Sequence, residues 1–359
     1  MKALIWITAM FSTTVMAQTK PQLIPVAESS TQVWNGVTTT EDGRIFVGFP
    51  RLEGEKGISI GEVLKNGSIE PYPSKTWNSW AKGEVTTQKF IRINSLRIEP
   101  DGNLWVMDTG APKLGEQALN GGSKLVVIDV KQNKVIRTIP LDGVMKPNSF
   151  MDDLRVYGST IYITDAGEPA LVIMDKATGK GRRVLENHWS TTDSKPLLAE
   201  GKIIRLQNGK ELRVNADQME VSPDGKWFYF QPVSGPLNRI ETSYLKDASL
   251  SSKQLESHIT KWFASPTTGG TAIDAAGNIY LSDVDHCRIL KIDPTGKSEV
   301  VLEDKRLIWA DALWIDQKGF LWIPAGQINR LAAFQNGKST VKFPVYVYKL
   351  QVHAKPFKS

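Results

Sequence analysis

The stretch Asn94-Ser-Leu-Arg-Ile-Glu-Pro-Asp-Gly-Asn-Leu-Trp-Val-Met-Asp-Thr-Gly110 decides the fold, because its grammar recurs along the chain. It runs polar residue, x, apolar, x, apolar, a turn closing on glycine, then apolar-aromatic-apolar. The other copies are Asn35…Gly43-Arg-Ile-Phe-Val, Asp152…Gly158-Ser-Thr-Ile-Tyr-Ile, Asp217…Gly225-Lys-Trp-Phe-Tyr, Gly269…Gly277-Asn-Ile-Tyr-Leu and Asp311…Gly319-Phe-Leu-Trp-Ile. The aromatics are Phe46, Trp105, Tyr162, Phe228, Tyr280 and Trp322, so successive steps are 59, 57, 66, 52 and 42 residues. A strand–turn–strand unit repeated near this period predicts an all-β chain folded as a six-bladed β-propeller.

Each phrase is followed by a second strand pair, clearest in Ser123-Lys-Leu-Val-Val-Ile-Asp-Val130 with Lys134-Val-Ile-Arg-Thr-Ile139. Apolar, β-branched blocks ending in Asp, Asn and Gly turns are hairpin grammar. They predict four-stranded antiparallel blades around a central channel. Closure removes the edge strands and needs the two chain ends in one blade. Val341-Lys-Phe-Pro-Val-Tyr-Val-Tyr-Lys-Leu350 is the strong terminal strand, and Leu23-Ile-Pro-Val26 is its expected partner. Helical signal is poor; the best candidate is residues 247–258, short and weakly periodic. Residues 71–92 and 187–203, with Trp77, Trp80 and Trp189, read either as excursions that cap one mouth of the channel, the kind of loop that carries binding specificity, or as simple tolerated insertions.

Residues 1–17 read as a secretory signal peptide: Lys2 as the positive end, an apolar run too short to span, and Val15-Met16-Ala17 before the cleavage point. The expected location is secreted or periplasmic, with no membrane span after cleavage. Residues 18–359 read as one propeller domain. Of the 359 residues 41% are hydrophobic, enough for a large core. The net charge of +6 is dispersed and not interleaved with aromatics, which argues for a solvated surface and against nucleic-acid binding. The single cysteine, Cys287, excludes an internal disulfide and reads as a small half-buried residue. No glycine-rich phosphate loop is present, and no nucleotide or haem cofactor is expected. The expected state is a monomer.

Radial repetition places equivalent positions on one circle. Asn35, Asn94, Asp152, Asp217 and Asp311 open their phrases, with Gly269 as the sixth, and the first strand of each blade is innermost. Their side chains should converge at one mouth as a ligand-binding ring. Clustered carboxylates are relieved by raised pKa values or by a bound cation. Asp and Asn oxygens suit calcium or magnesium, and the lack of His or Cys in the set argues against zinc. The alternative is local capping of backbone amides where each strand begins. Asp108, Asp165 and Asp283, three residues beyond the aromatic, are expected to cap turns. Asp153, beside Asp152, is expected to point between blades. His286 is a conceivable base but reads more simply as a loop residue. Gly57-Ile-Ser-Ile-Gly61 lies in a strand hairpin and so lacks the strand-to-helix context of a nucleophile elbow.

The stretch Asn94 to Gly110, with Asp152-Asp-Leu-Arg-Val, Val221-Ser-Pro-Asp-Gly-Lys-Trp-Phe-Tyr-Phe230 and Asp311-Ala-Leu-Trp-Ile-Asp, resembles the yellow / major royal jelly protein family in a bacterial form, over roughly residues 30–350. The resemblance implies a secreted six-bladed propeller; insect members are associated with pigment chemistry, nutrition and small-amine binding. Insect members typically carry cysteine pairs, which this chain lacks. More distantly the chain is similar to calcium-dependent gluconolactonase-like propellers. That similarity implies metal ligands at Asn94, Asp152 and Asp217, while Asn35 stands where those proteins have a Glu.

Three functions follow as expectations. The first is a propeller that binds a small molecule at the channel mouth. The second is a metal-dependent lactone or ester hydrolase, with a cation held by Asn94, Asp152 and Asp217, and with Asp217 and Asp311 as catalytic acids, Asp311 acting as base. The third is a protein-interaction scaffold. Fold alone does not choose among them.

Overall fold

A computed structural model describes residues 22–357. The signal-peptide expectation for residues 1–17 lies outside the described residues. Six four-stranded antiparallel sheets surround a channel. Blade 1 is Gly36–Thr39, Ile45–Gly48, Ile60–Val63 and Ile69–Pro71. Blade 2 is Ile93–Ile98, Leu104–Asp108, Lys124–Asp129 and Lys134–Pro140. Blade 3 is Met151–Tyr157, Thr160–Asp165, Ala170–Asp175 and Gly181–Val184. Blade 4 is Ala216–Val221, Trp227–Pro232, Leu237–Glu241 and Thr260–Phe263. Blade 5 is Thr268–Ile273, Ile279–Asp283, Arg288–Ile292 and Ser298–Glu303. Blade 6 is Trp314–Ile315, Phe320–Ala325, Val345–Gln351 and, from the other end of the chain, Leu23–Ser29.

The N-terminal strand pairs antiparallel with Val345–Gln351, so blade 6 is closed by the two segments named from sequence. Trp34 Nε1 donates to the Tyr346 carbonyl at 3.2 Å and ties the start of blade 1 to blade 6. The first strand of each blade contacts that of its neighbour around the channel. The hydrophobic core is correspondingly divided. Six apolar clusters are present among the described residues, one at each blade junction. The phrase aromatics serve these junctions: Phe46 packs with Leu104 and Val106 of blade 2, and Tyr162 stacks on Phe228 of blade 4 at 4.9 Å. A bulky flat side chain bridges two sheets that splay from the axis, and each aromatic buries a large apolar area doing so.

The helix candidate 247–258 holds one short helix, Ser252–Ser257, capped by Ser251 and Gln254, and a second, Thr242–Lys246, precedes it. Its capping box, not its periodicity, starts the later helix. The tryptophans of the excursions do not face the channel mouth. Trp77 packs on Phe90 at 5.1 Å, Trp80 is buried, and Trp189 lies under Lys261 on the outer surface. Among the described residues no helix is long and apolar enough to cross a membrane.

Candidate functional site

All six phrase-opening positions line one cavity of about 270 Å³ at a mouth of the channel. A local backbone feature aims them. In blades 2 to 5 the pairing of the first and second strands slips at this residue: between Ile93 and Ser95, Met151 and Leu154, Ala216 and Met219, Thr268 and Thr271. A bulge bends the strand and re-aims the extra side chain. Here it turns Asn94, Asp152 and Asp217 toward the axis.

The side chains form a chain across blades 1 to 4. Asn35 Nδ2 donates to the Asn94 carbonyl at 2.6 Å. Asn94 Nδ2 donates to Asp152 Oδ1. The carboxyl groups of Asp152 and Asp217 stand close enough to pair when one of them is protonated. Capping of the residue's own strand therefore does not describe Asn35, Asn94 or Asp152; each reaches the next blade. Asp311 accepts from its neighbour Ala312 N at 2.8 Å and from Trp309 Nε1 at 3.0 Å. Asn35 Oδ1 is buried without a partner.

Electrostatics follow from this crowding. Burial pushes the Asp152 and Asp217 carboxyls well up; next come Asp153 and Asp311 for Asp152, and Asp152 and Asp311 for Asp217. Two acids this close share a proton and titrate as a pair. Burial raises Asp311 to about 8 against the lowering by its Ala312 and Trp309 hydrogen bonds. Near neutral pH the floor of the cavity thus holds protons that a donor ligand or a cation can replace.

Gly269 completes the circle for a steric reason. A Cβ there would stand 2.2 Å from the Ala310 carbonyl oxygen, and one at Gly270 2.4 Å from that of Asp311. Blade 6 approaches blade 5 too closely for any side chain at the sixth position. Ser282 Oγ seals the junction, accepting from Gly269 N at 3.1 Å and Gly270 N at 2.9 Å and donating to Ala310 O at 2.7 Å.

The walls contain residues that the sequence reading passed over. Arg92, Phe150 and Trp309 line the cavity, each two positions before a polar residue of the circle. All three stand in the segments that enter the blades, ahead of the first strands, so strand alternation does not aim them and only the shared offset of two residues marks them in the sequence. Arg92 is buried, lies over the Phe150 ring at 4.7 Å, donates Nε to the Ala111 carbonyl, and leaves Nη1 without a partner. Burial pulls its pKa to about 10, so it stays charged at neutral pH. Leu114, Leu212, Val214, Ile328 and Phe334 supply apolar wall. Ile328 and Phe334 come from the excursion inside blade 6, which has no repeat to flag it.

The remaining candidates are structural. Asp108 accepts from Ile91, Arg92 and Gly110 amides and pairs with buried Lys124 at 2.8 Å. Asp165 accepts from Phe150, Gly167 and Glu168 amides and pairs with Arg183. These acids hold the turn after the second strand against the segment entering the blade, beyond the simple turn cap expected. Asp153 accepts from Ser95 Oγ of blade 2 at 2.5 Å and from Arg155, and so does bridge blades. His286 is exposed beside Asp283, away from the cavity. Cys287 is half-buried, and burial pushes its thiol to about 11, which keeps it unreactive.

Solved structures with this architecture include a gluconolactonase from Xanthomonas campestris (TM-score 0.56, 13% identity, 92% of this chain and 89% of that one). A luciferin-regenerating enzyme matches with TM-score 0.57 and 13% identity over 94% of this chain and 98% of that one. A virginiamycin B lyase from Staphylococcus aureus matches with TM-score 0.52 and 13% identity over 93% and 100%. At such identity the likeness establishes the propeller fold alone. No curated protein matches the sequence. The family model described as "Major royal jelly protein" matches residues 93–356, from the first strand of blade 2 to the C-terminal segment, and the chain belongs to that family.

Proposed function

We propose that this protein binds a small molecule at the upper mouth of its channel, through a cationic or hydroxyl-rich head set on Asp152, Asp217 and Asp311. The observation that carries this reading is the Asp152–Asp217 carboxyl pair on the floor of a cavity with apolar walls. A donor group from the ligand would take the place of the shared proton. The apolar body would rest on Phe150, Trp309 and Phe334, and the free Nη1 of Arg92 would meet an acceptor on the ligand. Asn35 and Asn94 fix the acids and complete the binding circle. The signal-peptide reading of residues 1–17 puts this binding outside the cytoplasm, in the secreted or periplasmic space.

A second reading is favoured by the unpartnered Asn35 Oδ1 and the oxygen-only donor set: a divalent-metal-dependent lactone or ester hydrolase, like the gluconolactonase of the same fold. Among the described residues no three His, Cys, Asp or Glu side chains stand together as an ion-binding group. Asp152 and Asp217 would therefore need the amide oxygen of Asn94 to hold calcium or magnesium. Such an ion polarises a carbonyl when bound. Asp311 would take the proton from water in its ionised form, which its raised pKa of about 8 confines to alkaline pH unless the bound ion lowers it.

Isothermal titration with a panel of aromatic amines and sugars tests the first reading, and a lactone panel with calcium, then with chelator, tests the second. Saturable binding without turnover, lost in Asp217→Asn, supports the binding protein. Lactone turnover abolished by chelator supports the hydrolase. No binding and no turnover from either panel would discard both.

A further inference from the structure

The channel has a second mouth. A larger cavity, about 760 Å³, opens at the far ends of the inner strands and the turns that follow them. The residues three positions beyond Asn94, Asp152, Asp217 and Asp311 are Arg97, Arg155, Glu220 and Trp314, and all four line it. For three of them the equivalence shows in the register: Arg97 lies opposite Trp105, Arg155 opposite Tyr162, and Trp314 opposite Trp322, while Glu220 lies opposite Tyr229, one position off the phrase aromatic Phe228. The radial repeat therefore builds a lower circle as well as an upper one, with a different charge pattern.

Most of this lower circle is internally satisfied. Arg155 donates to both carboxylate oxygens of Glu220, at 2.8 and 3.0 Å, and to Asp153 at 2.7 Å. Thr271 Oγ1 donates to Glu220 at 2.9 Å. Arg97 is not satisfied. Its guanidinium lies over the Trp314 ring at 5.2 Å, and among the described residues no hydrogen bond or ion pair reaches it. Trp314 is itself fixed by its Nε1 donating to Thr39 Oγ1 at 2.9 Å. Glu99, which also lines the cavity, is 6% exposed, and its Oε1 is buried without a partner. A guanidinium carries five donors in a fixed fork, and leaving them unused in a partly desolvated cleft is costly.

We propose that this lower mouth is a second ligand site, taking a small planar carboxylate that pairs with the fork of Arg97 beside Trp314 and meets the unpartnered oxygen of Glu99. The fork matches a carboxylate two-for-two, and the indole beside it offers apolar contact to the ligand's body. Pro356 and Phe357 form one wall, with Phe357 stacked on Tyr157 at 6.1 Å. Glu99 makes the site sensitive to pH. Burial pushes its carboxyl up to about 7, against the lowering by Arg97 and Arg155 and with Asp101 and Asp153 raising it. The protonated acid donates to the ligand. Once ionised, it repels the ligand and competes for Arg97.

The test is calorimetric titration of the full chain with benzoate, with acetate and inorganic phosphate in parallel. Benzoate is expected to bind saturably, with affinity falling as pH rises from 6 to 8 through the value of about 7 given for Glu99. Arg97→Lys keeps the charge but loses the fork, and is expected to weaken benzoate about tenfold or more, as is Arg97→Gln. Glu99→Gln is expected to remove the pH dependence. Equal affinity in wild type and Arg97→Lys, no saturable benzoate binding up to millimolar concentration, or preference for phosphate over benzoate overturns the proposal.

Discussion

The carboxyl groups of Asp152 and Asp217, carried by different blades, meet in the cavity closely enough that their titrations are coupled. Neither is placed there by its own blade alone. A strand slip in each turns the side chain inward, and closure of the six-fold circle brings the two tips together. Burial is the largest cause holding both carboxyls up, and the neighbouring carboxylates add to it.

Replacing Asp152 by Asn should let the Asp217 carboxyl titrate lower. After burial, the Asp152 charge is the largest contribution holding Asp217 up. Carboxyl carbon NMR of the wild type should show two coupled steps, both above the ordinary aspartate range. In the variant a single, lower step should remain; an unmoved Asp217 titration would break the pairing argument.

Stability should fall as pH rises from about 4 to about 8, in part through Asp311. Its folded pKa, about 8, exceeds the unfolded value of 3.8, so between these values the folded state holds the extra proton and each step up in pH costs stability. Asp311 is half-buried against the cavity, so the effect at pH 8 should be on the order of 1 kcal/mol once screening is allowed for. Asp311→Asn should flatten the fall in melting temperature over this window. A parallel curve for the variant would show that Asp311 ionises normally.

Gly269→Ala should destabilise by roughly 2–3 kcal/mol or more, because its Cβ would overlap the Ala310 carbonyl at 2.2 Å and only backbone movement relieves it. Gly143→Ala, where a Cβ meets nothing within 4 Å and φ is ordinary, is the matched control. Chemical denaturation of both variants decides the point. Similar midpoints for the two would mean that blades 5 and 6 are less tightly joined than the geometry states.

Removing Leu23–Ser29 should convert a cooperative transition into an early, aggregation-prone one. The deletion leaves Val345–Gln351 as an exposed edge and strips Leu23 and Ala27 from two blade junctions. Light scattering during thermal unfolding reads this directly, and retention of the full-length melting curve would show that closure does not need the N-terminal strand.

The blade count, the closure pair and the polar circle were legible because a propeller writes its symmetry into the chain as a period. Arg92, Phe150 and Trp309 share an offset of two residues from the circle, but they precede the first strands, so local periodicity did not say that they face the cavity. What was misplaced shares a cause. Trp77, Trp80 and Trp189 lie in segments without a repeat, where nothing local says which way a side chain faces. The blade 6 excursion carrying Ile328 and Phe334 was silent for the same reason.

By itself the sequence determined six strand–turn–strand phrases, their order, and the residue type at each equivalent position. It could do so because hydrophobic alternation, turn glycines and the junction aromatics act over a few residues. The tertiary structure alone decided that Asp152 and Asp217 meet as a buried carboxyl pair, that blade 6 crowds Gly269, and that Arg97 has no hydrogen-bond or ion-pair partner among the described residues while Arg155 has both. Those outcomes depend on distances between atoms from different blades, set by how the circle closes.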